Sequence, residues 1–483
     1  MLGWFAGDAT PGLLVGASNY EDGSTNSSPA RHYDLAAQTV RDILPAQTAS
    51  AGPMALADVE GTGNLDLFVG GRVVPGRFPE PASSSFFRHN QNGFQFDPVA
   101  SQAFVGLGLV SGAVWSDLNG DGTPELVLAC QGGPIRVFRL DQGHFHEATE
   151  SLGLGKYLGL WNSVCVGDFD GDGRLDIVAG NWGRNTKYES HLAQPLHFYY
   201  GDSDQDGLLE VVEAYFDPEL RKIVPSRDWG VLSSAMPFIR EQYHNYAEFS
   251  TAGVSEFLGE HMDQFKDMIV NTLDSMVFLN RGDHFEARPL PRETQLAPVF
   301  GLAVADFDGD GCEDVVASQN FFAVPPPQSR LDGGRGVLLQ GDGQGGFAAM
   351  PGQNSGIKIY GEGRGLAVGD FDHDGRTDLA AAQNANATLL YRNTGGKPGL
   401  RVLLHGPPGN PLGIGAIVRI QYRDGRLGPV REVHAGGGYW SQDAATVVLG
   451  LAGEPQFVLV KWPGGTATKT SIPSGARELG IGR

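Results

Sequence analysis

Carboxylates recur in this chain at a spacing that suits one kind of chemistry. Asp168-Phe-Asp170-Gly-Asp172-Gly-Arg174-Leu-Asp176, Asp306-Phe-Asp308-Gly-Asp310-Gly-Cys312-Glu-Asp314 and Asp370-Phe-Asp372-His-Asp374-Gly-Arg376-Thr-Asp378 place acids at positions 1, 3, 5 and 9 of a short loop. Bare acids so close repel one another, whereas a hard divalent cation gathers their oxygens at roughly 2.3–2.6 Å. Position 6 is glycine each time, which supplies the sharp turn that returns position 9 to the ion. Position 7 (Arg174, Cys312, Arg376) gives a backbone carbonyl, so the side chain there need not ligate. Asp202-Ser-Asp204-Gln-Asp206-Gly-Leu-Leu-Glu210 fits with Glu as its last ligand, and Asp117-Leu-Asn119-Gly-Asp121-Gly-Thr-Pro-Glu125 fits with Asn at position 3. These loops predict about five calcium sites. A sixth copy, Asp58-Val-Glu60-Gly-Thr62-Gly-Asn-Leu-Asp66, offers a hydroxyl as its third ligand, so weak or absent metal is expected there.

The flanks exclude an EF-hand. That motif needs helices on both sides and a glutamate at position 12, but position 12 of the three full loops is Ala179, Ala317 and Ala381. Short apolar runs stand on either side instead: Val164-Cys165-Val166 with Ile177-Val178-Ala179, Leu302-Ala303-Val304 with Val315-Val316-Ala317, and Leu366-Ala367-Val368 with Leu379-Ala380-Ala381. Runs of this length bounded by glycine read as buried strands. The unit is therefore strand, calcium turn, strand.

Repetition sets the expected architecture. First acids fall at 58, 117, 168, 202, 306 and 370, and Gly7-Asp8…Leu13-Leu14-Val15-Gly16 reads as a copy that has lost its loop. Most copies are followed by a second hairpin, such as Ile135-Arg-Val137-Phe138 turning through Asp141-Gln-Gly143 into Phe145, or Met276-Val-Phe-Leu279 turning through Asn280-Arg-Gly282 into Phe285. Four strands per repeat is the pattern of a propeller blade, and seven copies predict a mostly β, seven-bladed β-propeller over residues 1–396. Between the loops at 202 and 306 the rhythm breaks. From about 226 to 275 the apolar spacing turns helical (Phe249, Val254, Phe257, Leu258, Met262, Phe265), predicting a helical insertion that either caps its own propeller or forms a lid or partner-binding face, the cap being preferred.

The Asp-Phe-Asp-Gly-Asp-Gly loops resemble the FG-GAP/VCBS repeats of integrin α-subunit propellers and of many bacterial surface proteins. Beyond Pro398 the chain resembles an ASPIC/UnbV domain, through Leu412-Gly-Ile-Gly415, Gly436-Gly-Gly438-Tyr439-Trp440-Ser441-Gln442, Leu449-Gly450-Leu451 and Val460-Lys-Trp462-Pro463-Gly464-Gly465. That resemblance implies a small C-terminal β domain over 397–483, as in cartilage acidic protein-like chains, and an extracellular, cell-surface or periplasmic setting. It brings no catalytic residue to any position here.

Charge agrees with the loops. The formal net charge is −21, yet residues 398–483 hold nine Lys/Arg against five Asp/Glu, so the acidity belongs to the repeat region. Nucleic acid is excluded as a partner, because phosphate recognition wants clustered basic residues. No run of about 20 apolar residues exists to span a membrane as a helix. The opening Met1-Leu-Gly-Trp-Phe lacks the basic start and long apolar stretch of a signal peptide, and it begins so close to a strand that the chain is expected to be part of a longer exported protein. Three cysteines make no disulfide framework; Cys130 and Cys165 sit in apolar runs and read as buried small hydrophobes.

Two function classes follow. The first is a non-catalytic, calcium-binding recognition or adhesion module with a protein or glycan ligand. The second is a carbohydrate-active enzyme, a polysaccharide lyase or hydrolase, which needs a free pair of carboxylates at the channel mouth. The first is preferred because nearly every clustered acid is committed to a calcium loop. Gly70-Gly71-Arg72, Trp161-Asn162 and Asn181-Trp182-Gly183-Arg184-Asn185 follow strands, so they either line a ligand face or serve turns and packing.

Overall fold

The computed structural model describes residues 2–6, 10–20, 23, 24, 27–91, 93–325 and 328–483. Strand accounts for 43% of the chain and helix for 10%, so the class is mostly β as expected. Gly7 and Asp8 of the degenerate first copy lie outside the described residues.

Antiparallel sheets built from consecutive strands dominate. The first holds Leu2–Ala6, Thr10–Gly16, Ala30–Asp34 and Thr39–Asp42; the second holds Ser50–Ala57, Asp66–Val73, Ser85–Asn90 and Gly93–Phe96. The third holds Leu109–Ser116, Glu125–Gly133, Arg136–Asp141 and His144–Glu147, with Gly159–Leu160 added at the end of Glu125–Gly133. The fourth joins Ser163–Gly167 and Asp176–Gly180 to Met276–Asn280 and Phe285–Pro289. Two more follow: Val299–Ala305, Asp314–Gln319, Val337–Gly341 and Phe347–Met350, then Glu362–Gly369, Asp378–Asn384 and Asn386–Tyr391.

The acidic loops connect the first and second strands of five of these sheets. Except in the last sheet, where Glu362–Gly369 and Asp378–Asn384 are partly exposed, these strands are buried on both faces: every residue of Ser50–Ala57, Leu109–Ser116, Ser163–Gly167 and Asp176–Gly180 is buried. That is why they read as unbroken apolar runs and not as alternation. Their side chains fill the layers between neighbouring sheets. Between the second and third, Phe104 is fully buried and meets Phe68, Phe138 and Phe145 at centroid distances of 5.1–5.3 Å. First strands of successive sheets lie side by side, Ser50–Ala57 against Leu109–Ser116 and onward to Glu362–Gly369.

The loop at 202 departs from this order. It joins Leu196–Gly201 to Glu210–Asp217 in a separate sheet with Lys222–Pro225 and Lys266–Val270, inserted whole between the second and third strands of the fourth sheet. Ser163–Gly167 packs directly against Val299–Ala305, so the inserted sheet contributes no first strand between them. The hairpin at 276–289, expected to complete the copy at 202, instead completes the copy at 168, because Ile177, Val178 and Ala179 pair with Phe278, Val277 and Met276.

The helical insertion is present as Trp229–Ala235, Phe238–Gln242, Tyr246–Phe249 and Val254–Leu258, followed by the 3₁₀ turn Gly259–Gln264. Asp228 and Asn245 cap two of these helices by accepting from the N–H groups of Val231 and Glu248. Met236, Ile239, Phe257 and Leu258 bury themselves against Tyr199, Val212 and Ala214 of the inserted sheet, so the helices cover that sheet.

The C-terminal region forms two small sheets. One orders Val447–Leu449, Leu400–His405 and Glu478–Gly482; the other orders Arg431–Glu432, Ile417–Tyr422, Pro455–Lys461 and Ala467–Ser471. From them the segment 435–444 projects among the first strands of six sheets. Leu56 N–H donates to the Ala435 carbonyl at 2.8 Å and Gly438 N–H to the Val164 carbonyl at 2.9 Å. The Trp440 indole donates to the Ser111 carbonyl at 3.0 Å, and Gly3 N–H to Gln442 Oε1 at 2.6 Å. Val368 N–H donates to Asp443 Oδ1 at 2.8 Å, while Phe300 meets Tyr439 edge to face at 5.4 Å. Glycine is required for so close a fit: a Cβ on Gly436 or Gly438 would stand 2.5 Å from the carbonyl oxygen of Met54 or Leu302, and both residues have positive φ.

Candidate metal centres

Each acidic loop closes by the same set of bonds. The position-6 N–H reaches back to the first acid: Gly173 to Asp168 Oδ2 at 3.1 Å, Gly311 to Asp306 at 2.8 Å, Gly375 to Asp370 at 3.0 Å, Gly122 to Asp117 at 2.9 Å and Gly207 to Asp202 at 3.1 Å. These glycines have φ between 85° and 94°, which a side chain resists. The position-5 N–H donates to the residue at position 3, and the position-7 N–H to the acid at position 5, as in Asp310 to Asp308 and Cys312 to Asp310. The arginine side chains at position 7 return to the same acid, Arg174 pairing with Asp172 and Arg376 with Asp374. The Cys312 thiol, pushed up to about 12 by burial and the acids around it, stays protonated.

The acids converge. One carboxylate oxygen from each of Asp168, Asp170 and Asp176 lies within 4.8 Å of the others; so do those of Asp202, Asp204 and Asp206, of Asp306, Asp308 and Asp314, and of Asp370, Asp372 and Asp374. Several acidic clusters can therefore hold a metal ion. Asp172, Asp310 and Asp378, expected ligands of these loops, and Glu210 lie outside those close triads. Asn119 leaves the loop at 117 without an acid at position 3, and there Asn119 Nδ2 instead donates to Glu125 Oε1 and Asp121 Oδ2.

Two observations test the fit of a cation. Oδ1 of Asp117, Asp168 and Asp202 is buried and makes no hydrogen bond, a costly state for a carboxylate oxygen unless something binds it. Burial also pushes the carboxyls of Asp176 and Asp314 up to about 8 and that of Glu125 to about 7, with neighbouring acids adding to the shift. A divalent ion opposes both effects. The residues present fit a hard, oxygen-seeking cation.

Position 9 has a second duty that the sequence did not announce. Asp176 Oδ2 accepts from Phe169 N–H inside the loop, while Oδ1 accepts from Asn280 N–H at the end of the third strand. Asp314 does the same with Phe307 and Gly341, and Asp378 with Phe371 and Asn393. Asn280 and Asn393 then reach the preceding sheet's loop, donating to the carbonyls of Leu118 and Phe307. Their signal was an asparagine at or just beyond the end of the third strand in two of the three sheets, Gly341 standing there in the other.

The C-terminal region covers five of the loops. Val430 N–H donates to Asp168 Oδ2 at 3.0 Å, Lys461 Nζ reaches Asp117 Oδ2 at 2.8 Å, and Arg401 Nε pairs with Asp370 Oδ2 at 2.9 Å. Gly450 packs against Asp306, and Gly464 against Gly61 of the eroded loop. Arg431 and Glu313, both almost fully buried, form an ion pair at 2.6 Å beside them. The loop at 202 lies elsewhere, against Gly76 and Arg77 at the far end of the second sheet.

The post-strand candidates divide. Trp161 is fully buried core, and Asn162 and Asn181 are buried with their amides spent on backbone carbonyls and neighbouring amides, so turn and packing chemistry accounts for them. Arg184 pairs with Asp274 at the surface. Arg72 remains half-buried at the strand ends away from the acidic loops.

A repeated strand–acidic turn–strand protein with a C-terminal β region is what fold and site define. Within it, residues 117–179 match the model of the FG-GAP-like repeat and residues 406–482 match that of the ASPIC and UnbV domain. The chain carries both, as its motifs implied. No curated protein matches it. Among solved structures it is similar to the exotype rhamnogalacturonan lyase YesX, at 11% identity over 99% of this chain and 72% of that one with a TM-score of 0.32. It is also similar to the V. cholerae biofilm matrix protein Bap1, at 12% identity over 89% and 60% with a TM-score of 0.26. At those TM-scores neither neighbour's activity bears on this chain. Among the described residues no helix is long and apolar enough to cross a membrane.

Proposed function

We propose that the chain is a non-catalytic recognition or adhesion module, exported or held at the cell surface, whose rigidity comes from calcium. The six sheets whose first strands meet the 435–444 segment act as propeller blades, with the sheet at 196–270 and its helices as an outgrowth of the fourth blade. This replaces the expected seven blades, because no first strand intervenes between Ser163–Gly167 and Val299–Ala305. The repeat domain ends near Gly396, and 397–483 forms the second domain.

Calcium is held by Asp168, Asp170 and Asp176, by Asp306, Asp308 and Asp314, and by Asp370, Asp372 and Asp374, with weaker sites at 202 and 117. The ion would supply charge neutralisation, so that its binding free energy becomes folding free energy. The observation that carries this reading is the shared carboxylate oxygen. Asp168 Oδ2 belongs to a candidate calcium loop and also accepts from Val430 of the C-terminal domain. Calcium therefore sets the acids that dock the second domain. The acids being committed in this way supports a binding role over catalysis.

Melting curves in calcium and in excess chelator test the reading. A drop of many degrees on chelation is expected; superimposable curves would contradict it.

A further inference from the structure

The 435–444 segment enters among the six first strands at their loop-side ends, where Ala435 meets Leu56 and Ala444 meets Val368. It turns at the opposite ends, where Gly438 meets Val164 and Trp440 meets Ser111. The C-terminal domain thus delivers Tyr439 and Trp440 to the mouth farthest from itself. The two rings stack with centroids 4.9 Å apart and planes within 7°. Both are half-buried, and Trp440 adopts φ of 53°, which bulky residues avoid. Strain of this kind concentrates where a side chain is being aimed at something.

Arg72 stands at the same mouth. Its Nη2 donates to Gln131 Oε1 at 2.6 Å, and Gln131 Nε2 donates to Asn162 Oδ1 at 3.0 Å. Among the described residues no carboxylate lies within ion-pair distance of Arg72, although half-buried guanidinium groups ordinarily find one. Arg364, across the mouth, differs: it pairs with Glu362 at 3.2 Å and lies 4.1 Å from the Phe300 centroid. The Tyr439 phenol is close enough to Arg72 to act on its charge, and burial pulls that guanidinium below its usual pKa. An anion brought to Arg72 would relieve this.

We propose that this mouth binds a carboxylated sugar, its ring against the Tyr439–Trp440 stack and its carboxylate on Arg72. An aromatic pair suits the C–H face of a pyranose and the planar Arg fork suits a carboxylate, while Gln131, itself held by Asn162, fixes the guanidinium in place. A neutral sugar would leave the arginine unpaired. The proposal rests on the recognition-module reading and names its ligand class. The site is composite, since its platform comes from one domain and its cation from the other.

Isothermal titration of the full chain in calcium, with trigalacturonate and its methyl ester as probes, tests it. The acid is expected to bind at least ~10-fold tighter than the ester, which keeps the rings and loses only the charge. Arg72→Gln should abolish that preference. Trp440→Gly, in which glycine accepts the positive φ, should weaken both probes ~10-fold or more. Both variants should keep calcium-dependent melting, Trp440→Gly with a lower midpoint because its bond to the buried Ser111 carbonyl is lost. Equal binding of acid and ester, binding of neither, or full binding by Trp440→Gly would overturn the proposal. If the wild type still melts calcium-dependently in those cases, the recognition-module reading stands; calcium-independent melting would sink that reading itself.

Discussion

Val430 donates its backbone N–H to Asp168 Oδ2 at 3.0 Å, across a sequence separation of 262 residues, and Gly173 N–H donates to the same oxygen. One carboxylate thus closes its own loop and anchors the C-terminal domain. Loop geometry and domain docking are then a single equilibrium, and disturbing either side should be felt on the other.

Gly450 offers the sharpest test from the docking side. A Cβ there would stand 1.6 Å from Asp306 Oδ2 and 3.1 Å from the Gly311 nitrogen. Overpacking typically costs about 1–3 kcal/mol, and here it should also expel the ion held by Asp306. Gly450→Ala is expected to lose that much stability by urea denaturation and one calcium by native mass spectrometry. Gly395→Ala, which meets nothing within 4 Å, should change neither. Wild-type calcium content in Gly450→Ala would separate docking from metal binding.

From the loop side, sites should rank by ligand set. Asp170→Ala and Asp308→Ala each remove an acid from a close triad, whereas Thr62→Ala alters a loop in which Asp58 already takes the N–H groups of Thr62 and Gly63. Calorimetry should show about one calcium lost in each of the first two and none in the third. Equal loss in all three would mean that the eroded loop is a working site.

Asp443 gives a pH signature independent of the calcium loops. Burial pushes its carboxyl up to about 6, opposed by its bond from Val368 N–H and by nearby His434. The sign follows from the raised value. The unfolded chain ionises first, so the contribution of this carboxyl to stability is fully present below about pH 4 and is lost as pH rises to about 6, by up to about 3 kcal/mol. Asp443→Asn keeps the acceptor for Val368 without the charge. Its stability relative to wild type should be near zero at acid pH and positive at neutral pH, in urea titrations at pH 4.5 and 7.5. A difference independent of pH would contradict this.

The loops were legible because their acids and turn glycines fall within nine residues, where spacing alone specifies geometry. The buried strands around Val164-Cys165-Val166 were legible for the same reason. The inserted sheet was not. Loop order along the chain suggested a blade at 202, but Met276–Asn280 returns to pair with Asp176–Gly180, and no local signal says which strand a later one will join. The Gly436–Gln442 turn stood out as too rich in glycine and polar groups for ordinary core, yet its destination depends on Gly3, Ser111 and Val164, hundreds of residues away. Trp161 and Asn181 were open to two readings, ligand face or packing, because residue type does not reveal burial, and both are fully buried.

Amide hydrogen exchange with and without chelator tests the central claim most directly. In calcium the N–H groups of Gly173, Gly311 and Gly375 in the loops, and of Val430, Gly438 and Ala444 in the C-terminal domain, should be protected. Removing calcium should speed exchange in both sets together, because Asp168 accepts from both Gly173 and Val430 and the bonds of Gly438 and Ala444 to the carbonyls of Val164 and Val368 form only when the domain is docked. Exchange that accelerates in the loops alone, or in neither set, would contradict the account.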